Sequence, residues 1–324
     1  MDEVRRNVLQ VPYRIAVNVE WTSKCNALCP MCPRDAILQP QLMSLDTWRQ
    51  ALRRIDPDEV FRVVIAGYGE ATTHPRFFEF IDALRDHPVR FDMVSNGHLL
   101  DPDKLAHLDG AIGLLIVSFS SIDPEVYRRV HVNLDQARVM ANLKAARTLL
   151  KRTRLAISLT PMPECLPALP DTIAWLKAQG IDALTMSPTL YNRGGTLADQ
   201  GVATRELRRL IMRHKLRSQE LDFVPGARDI YRQWRRNGYK CLPRNVDLFV
   251  ASNGDYLYCY NDVSHRHAVG DVMTDSIADT LRRREGMAEI PSLCGGCNMR
   301  NRYGAGELAR AGVSYVRSLW KLAA

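Results

Sequence analysis

The run Arg14-Ile-Ala-Val-Asn-Val-Glu-Trp21, followed by Cys25-Asn-Ala-Leu-Cys29-Pro-Met-Cys32, decides how this chain is read. The first part is a short apolar run of strand length, the pattern of a buried strand. The second sets three cysteines at C-x3-C-x2-C spacing in the loop that follows. Three thiolates from one short loop can hold three corners of a cubane iron–sulfur cluster and leave the fourth iron without a protein ligand. Such an iron is free to bind a substrate or cofactor directly. Zinc is the competing occupant, but structural zinc sites usually close with four ligands. No fourth Cys or His lies near this loop, and the nearest His is His74.

Four further cysteines lie far along the chain. Cys241 and Cys259 form C-x17-C, and Cys294 and Cys297 form C-x2-C. Between the first two, Val250-Ala-Ser-Asn-Gly-Asp-Tyr-Leu-Tyr258 reads as a β-hairpin, because Asn253-Gly254 suits a two-residue type I′ turn. The hairpin would carry Cys241 and Cys259 toward one end, and Cys294-Gly-Gly-Cys297 would close a four-thiolate site. Zinc also suits four thiolates taken alone. The remaining cysteine, Cys165, follows a strand-like run and is either an ordinary partly buried thiol or an active-site neighbour. A disulfide framework does not fit a chain of 324 residues whose cysteines bunch at metal-ligand spacing.

Strand-like runs near 14–21, 61–66, 90–95, 112–119, 154–160 and 182–187 alternate with amphipathic runs near 44–55, 76–86, 102–108, 134–151 and 168–179. Ser44 is the expected N-cap of the first helix. This alternation predicts an α/β fold with a parallel sheet and right-handed crossovers. The strand ends then collect the chemistry: Gly67-Tyr68-Gly69-Glu70, Ser95-Asn96-Gly97, Ser118-Phe-Ser120, and Met186. No run reaches membrane-spanning length, and Met1-Asp-Glu-Val-Arg-Arg lacks the apolar stretch of a secretory signal. A reducing, cytoplasmic setting is expected. The formal net charge is +8, and basic residues with interleaved aromatics gather in Arg228–Lys240. That stretch reads as a solvated linker, a nucleic-acid contact, or a docking site for an acidic electron carrier.

The first cysteine loop and its place after a first strand resemble the signature of the radical S-adenosylmethionine enzymes. The later cysteines resemble that superfamily's C-terminal SPASM or twitch extension, and Gly270–Arg282 is similar to it as well. The resemblance implies a partial (β/α)6 TIM-like barrel followed by a small C-terminal auxiliary-cluster domain with a β-hairpin, with boundaries at 1–237 and 238–324. It implies two [4Fe-4S] clusters, one on Cys25, Cys29 and Cys32 and one on Cys241, Cys259, Cys294 and Cys297, with S-adenosylmethionine on the open iron of the first. Tyr68, Gly69, Glu70, Ser95, Asn96, Ser118, Ser120, His131 and Met186 fall where the superfamily contacts that cofactor. The aromatic usual before the third cysteine is Met31 here, Tyr68 and Ala71 replace a glycine and a proline, and His131 stands near a usual arginine.

The reaction implied is hydrogen abstraction by a 5′-deoxyadenosyl radical. A two-electron oxidation would follow, supported by a flavodoxin or ferredoxin donor. Only 24 residues precede Cys25, fewer than a leader-peptide-binding domain needs. The expected substrate is therefore a small sugar, aminocyclitol or nucleoside, with peptide modification as the alternative. Glu164, Cys165, Tyr191, Asn192 and Arg193 are candidate substrate contacts. A zinc-dependent nucleic-acid-binding protein is the reading of another class, and a six-unit barrel pattern argues against it.

Overall fold

The computed structural model describes residues 15–33, 36–37, 39–160, 162–181, 183–186, 204–217, 240–241, 247–295, 297, 300–301, 306, 309 and 313. Six parallel strands come first: β1 (Ile15–Val19), β2 (Val60–Ile65), β3 (Phe91–Ser95), β4 (Leu114–Ser118), β5 (Arg154–Leu159) and β6 (Leu184–Met186). Helices α1 (Leu45–Arg54), α2 (Phe77–Leu84), α3 (Pro102–Leu108), α4 (Pro124–Val130), α5 (Gln136–Leu149) and α6 (Leu169–Ala178) fill the crossovers. Each strand pairs in parallel with the next, from β1 through β6. This is the parallel sheet expected from the alternation and the partial TIM-like barrel that the resemblance implied.

Strand alternation divides the sheet into two faces. Val17, Val19, Val63, Ile65, Leu115, Val117, Ile157 and Leu159 are buried in the main core. Trp21 continues that face and meets Trp48 of α1 edge-on at 5.4 Å and Phe80 of α2 at 5.1 Å. The Trp48 indole donates to the Phe80 carbonyl at 3.0 Å, so this aromatic cluster also satisfies its polar atom. Ser44 caps α1 as its sequence requires, accepting from Thr47 N. The opposite face carries Asn18, Ile116, Ser118, Ser158 and Thr185, all only half-buried.

The later strands join the barrel sheet. β8 (Asp247–Val250) pairs in parallel with β1, matching Val19 with Val250, and β9 (Asp255–Leu257) and β10 (Ala268–Asp271) add antiparallel strands beyond it. The nine-stranded order is β10-β9-β8-β1-β2-β3-β4-β5-β6. A two-stranded sheet pairs β7 (Lys240–Cys241) with β11 (Arg300–Asn301). The remaining helices are α7 (Thr204–Arg213), α8 (Ile277–Gly286) and α9 (Pro291–Cys294).

The expected hairpin forms, but not through a type I′ turn. Only Gly254 has a positive φ, at 99°, and a type I′ turn needs positive φ at both central residues. The reversal instead spans Ala251–Asp255, with Gly254 N bonded to Ala251 O and Ala251 N to Asp255 O. The 237/238 boundary and the basic stretch up to residue 239 lie outside the described residues. No helix among the described residues is long and apolar enough to cross a membrane.

Candidate active site and its two thiol sets

The loop bearing Cys25, Cys29 and Cys32 leaves β1 and returns to α1 through a hydrogen-bonded neck. Thr22 bridges Leu42, Thr22 Oγ1 donates to Gln41 O at 3.0 Å, and Gln41 N donates to Ser23 Oγ at 2.7 Å. Within the loop, Cys32 N donates to Cys29 O at 3.0 Å. All three thiols are half-buried, and Cys25 and Cys29 pack against the main core. The far side of the loop docks on the turn just after α4: Leu28 N donates to Val132 O. Met31 packs on Val126, Val130, Met162 and Cys165, so the residue in the usual aromatic position fills an apolar gap.

The segment after β2 is built to approach this loop. A Cβ on Gly69 would sit 2.1 Å from Thr22 O and 2.5 Å from Lys24 O, so only glycine lets the two backbones meet. Glu70 N donates to Lys24 O at 2.9 Å. The Glu70 side chain turns inward and is buried. Its Oε1 accepts from Thr72 N, Thr72 Oγ1 and Ser95 Oγ at 3.1, 2.6 and 2.9 Å, and its Oε2 accepts from Asn96 N at 2.7 Å. Ser95 Oγ also accepts from Gly97 N. Asn96 Nδ2 donates to Asn26 Oδ1 at 2.7 Å, and Asn26 Nδ2 lies 3.3 Å from His98 Nδ1. Glu70, Ser95 and Asn96 thus form a brace from the ends of β2 and β3 to the residue after Cys25.

Four other candidates are also engaged. Tyr68 N donates to Glu20 Oε2 at 2.7 Å, and its hydroxyl donates to Tyr260 O. His131 was expected near the cofactor carboxylate, but its ring is buried, with Nε2 2.9 Å from Ser120 Oγ. Burial pushes its pKa down to about 4, so the ring offers no positive charge near neutrality. Ser120 Oγ also accepts from Thr160 N at 3.2 Å. Met186 is buried against the helices, and its N–H is taken by Arg217 O.

Ser118 differs. It pairs in register with Ser158, which pairs with Thr185, so three half-buried hydroxyl side chains cross β4, β5 and β6 in one row on the face opposite the main core, with Thr185 Oγ1 donating to Ile157 O at 3.1 Å. Glu164 is exposed on a 3₁₀ turn, Pro163–Cys165. Burial pushes the Cys165 thiol up to about 12, which makes it inert as a nucleophile. Tyr191, Asn192 and Arg193 lie outside the described residues.

Glu20, unnoticed in the sequence, closes the seam between the barrel and the hairpin. Its Oε1 accepts from Ser252 Oγ at 3.2 Å and lies 3.8 Å from His265 Nε2. Burial is the main cause of its raised pKa. A Cβ on Gly67 would strike this carboxylate at 2.5 Å.

The second thiol set gathers beside that seam. Cys241 is opposite Arg300 in the two-stranded sheet, and Cys297 N donates to Cys294 O at 3.3 Å. Burial raises the Cys259 thiol well above its usual range, and the nearby Cys241 and Cys297 thiols raise it further. Asn261 N donates to Cys259 Sγ at 3.4 Å, and Asn261 Nδ2 donates to Cys297 Sγ at 3.5 Å. Cys241, Cys259 and Cys297, distant in sequence, are thus brought near one another. No three His, Cys, Asp or Glu side chains among the described residues stand close enough together to hold a single metal ion.

A parallel partial barrel with three thiols in the loop after its first strand defines a class. The family model of the Radical SAM superfamily matches residues 19–176, from the end of β1 into α6. Residues 19–176 therefore match a radical S-adenosylmethionine domain. An S-adenosylmethionine-dependent nucleotide dehydratase from Thermoplasmatales archaeon (strain ISO4-H5) is 28% identical over 108 residues, covering 33% of this chain and 38% of that protein. Streptococcus suis SuiB bound to S-adenosylmethionine superposes with a TM-score of 0.67 at 14% identity, over 92% of this chain and 73% of that one. Native anSMEcpe with bound AdoMet gives a TM-score of 0.61 at 14% identity, over 94% and 98%. At such identities the two structures show a shared fold.

Proposed function

We propose that this protein is a radical S-adenosylmethionine oxidoreductase that removes two hydrogens from a small, hydroxyl-rich biosynthetic intermediate. Cys25, Cys29 and Cys32 would hold the first [4Fe-4S] cluster, since one braced loop offers three thiols. Cys241, Cys259, Cys294 and Cys297 would hold the auxiliary cluster. When bound, the clusters and S-adenosylmethionine supply a hydrogen-abstracting radical and an electron sink; the chain supplies orientation and exclusion of water.

The observation that carries the reading is the place of the second thiol set. β8 runs beside β1, and β9 returns antiparallel and leads to Cys259, so the auxiliary site lies beside the strand that leads into the first thiol loop. The Glu20–Ser252 and Tyr68–Tyr260 bonds tie that seam shut. The row Ser118, Ser158 and Thr185 gives the opposite wall a hydroxyl lining that suits a sugar, aminocyclitol or nucleoside. A nucleotide is also named for the archaeal relative. A reducing cytoplasm and an acidic flavodoxin or ferredoxin fit such chemistry.

The test is a Cys297→Ala variant with first-cluster iron retained. It should still cleave S-adenosylmethionine under strong reductant but form no product two hydrogens lighter from a panel of polyols, aminosugars and nucleosides. Parental product formation in that variant would refute the acceptor role. Modification of peptides alone would replace the small-molecule reading with peptide maturation.

A further inference from the structure

Asn261 reaches across the second thiol set. Its backbone N–H donates to Cys259 Sγ, on the hairpin arm, at 3.4 Å. Its side-chain amide donates to Cys297 Sγ, from the C-terminal arm 36 residues on, at 3.5 Å. The residue is 3% exposed, and its Oδ1 is buried with no hydrogen-bond partner. Leaving a buried acceptor unpaired is costly. A carboxamide held that way is aimed by its other end. Turned over, it would set an acceptor oxygen against a thiolate sulfur, so the orientation is chemically sensible only as a donor to sulfur.

The turn beneath Asn261 is fixed. Asp262 N donates to Cys259 O at 3.0 Å and Val263 N to Asn261 O at 2.9 Å. The Asp262 carboxylate accepts from Arg266 N at 3.2 Å and His267 N at 2.7 Å. The amide is therefore presented by a braced loop.

Resting on the auxiliary-cluster reading above, we infer that Asn261 is a positioning residue that sets the reduction potential of that cluster. It does so by donating two N–H···S hydrogen bonds to the Cys259 and Cys297 thiolates. Hydrogen bonds to ligating sulfur draw off negative charge and favour the reduced, more negative state. They raise the potential and make the cluster a better one-electron acceptor. The orphaned Oδ1 is the local cost of holding the amide in that orientation.

The experiment uses the full chain carrying Cys25→Ala, Cys29→Ala and Cys32→Ala, so that only the auxiliary site can bind iron. Reconstituted anaerobically, it is titrated with a low-potential reductant and read by electron paramagnetic resonance, alone and with Asn261→Leu or Asn261→Asp added. In Asn261→Leu the ratio of reduced to oxidised cluster at a fixed potential should fall by about tenfold, roughly 59 mV for a one-electron couple. Asn261→Asp should fall further, because a carboxylate repels the thiolate. A merely structural residue would change iron content and leave the potential of the retained cluster alone. If the variants lose iron, protein with the native Asn261 and asparagine labelled with 15N at the side-chain amide decides. A nitrogen coupling to the reduced cluster supports the inference, and its absence overturns it. An unchanged potential with full iron also overturns it. A triple-cysteine variant that binds no iron at all sinks the auxiliary-cluster reading, and the inference with it.

Discussion

Replacing Glu70 by Gln probes how the first thiol loop is held. The carboxylate spreads four accepted bonds over two oxygens, three on Oε1 and one on Oε2. A glutamine keeps the shape but has one oxygen. The amide will turn that oxygen toward the three donors, leaving its NH2 facing Asn96 N–H. One bond to a charged acceptor is lost, and a buried N–H is left facing another donor. Those effects together amount to about 3 kcal/mol. The loss falls on Asn96, whose carboxamide holds Asn26 beside Cys25. Glu70→Gln should therefore lower unfolding free energy by about 3 kcal/mol in urea titration and weaken iron incorporation at the first site. A stability change below about 0.5 kcal/mol, the range of an uninvolved surface change, with normal iron uptake, would refute the brace.

Three further outcomes are expected. Gly69→Ala should abolish incorporation of the first cluster, measured as a halving of iron, because its Cβ would strike backbone oxygens of Thr22 and Lys24. Tyr127→Phe should leave unfolding free energy unchanged or raised, since the buried Tyr127 hydroxyl has no partner to lose; a drop above about 1 kcal/mol would show a bond that is absent here. His131 has its pKa pushed down by burial from 6.5 to about 4, so the unfolded chain binds the proton more readily. This contribution to stability is complete above pH 6.5 and is lost as pH falls toward 4, by about 3 kcal/mol in all. His131→Gln should flatten the pH dependence of the urea midpoint in that window, and an unaltered slope would contradict it.

The barrel was legible because parallel strands buried on the helix side leave apolar runs, and because Ser44 signals a helix start. The short helix α4 was missed although Asp123-Pro124 is a cap signal: Asp123 Oδ1 accepts from Glu125 N and Val126 N. At 7 residues it matches α3, whose span was read as helical, so length does not account for the omission. The Cys25–Cys32 loop was plain in the spacing, but its brace was not. Glu70, Ser95 and Asn96 were singled out by their strand-end position, but that position does not show the bonds that link Glu70 to Ser95 and Asn96, and Asn96 to Asn26. Glu20 depends on Tyr68 and Ser252, and Asn261 on Cys297, so neither role exists until the chain has folded. The parallel pairing of β8 with β1 likewise joins segments more than 200 residues apart.

The central claim is that two separate thiol sets hold two clusters and that only the first cleaves S-adenosylmethionine. Iron, sulfide and 5′-deoxyadenosine measured anaerobically on the parent chain and on the Cys25→Ala, Cys29→Ala, Cys32→Ala variant test it directly. The parent should hold about eight iron and eight sulfide and produce 5′-deoxyadenosine under strong reductant, while the variant should keep about half the iron and produce none. Undiminished cleavage in the variant, or zinc without iron in the parent, would contradict the account.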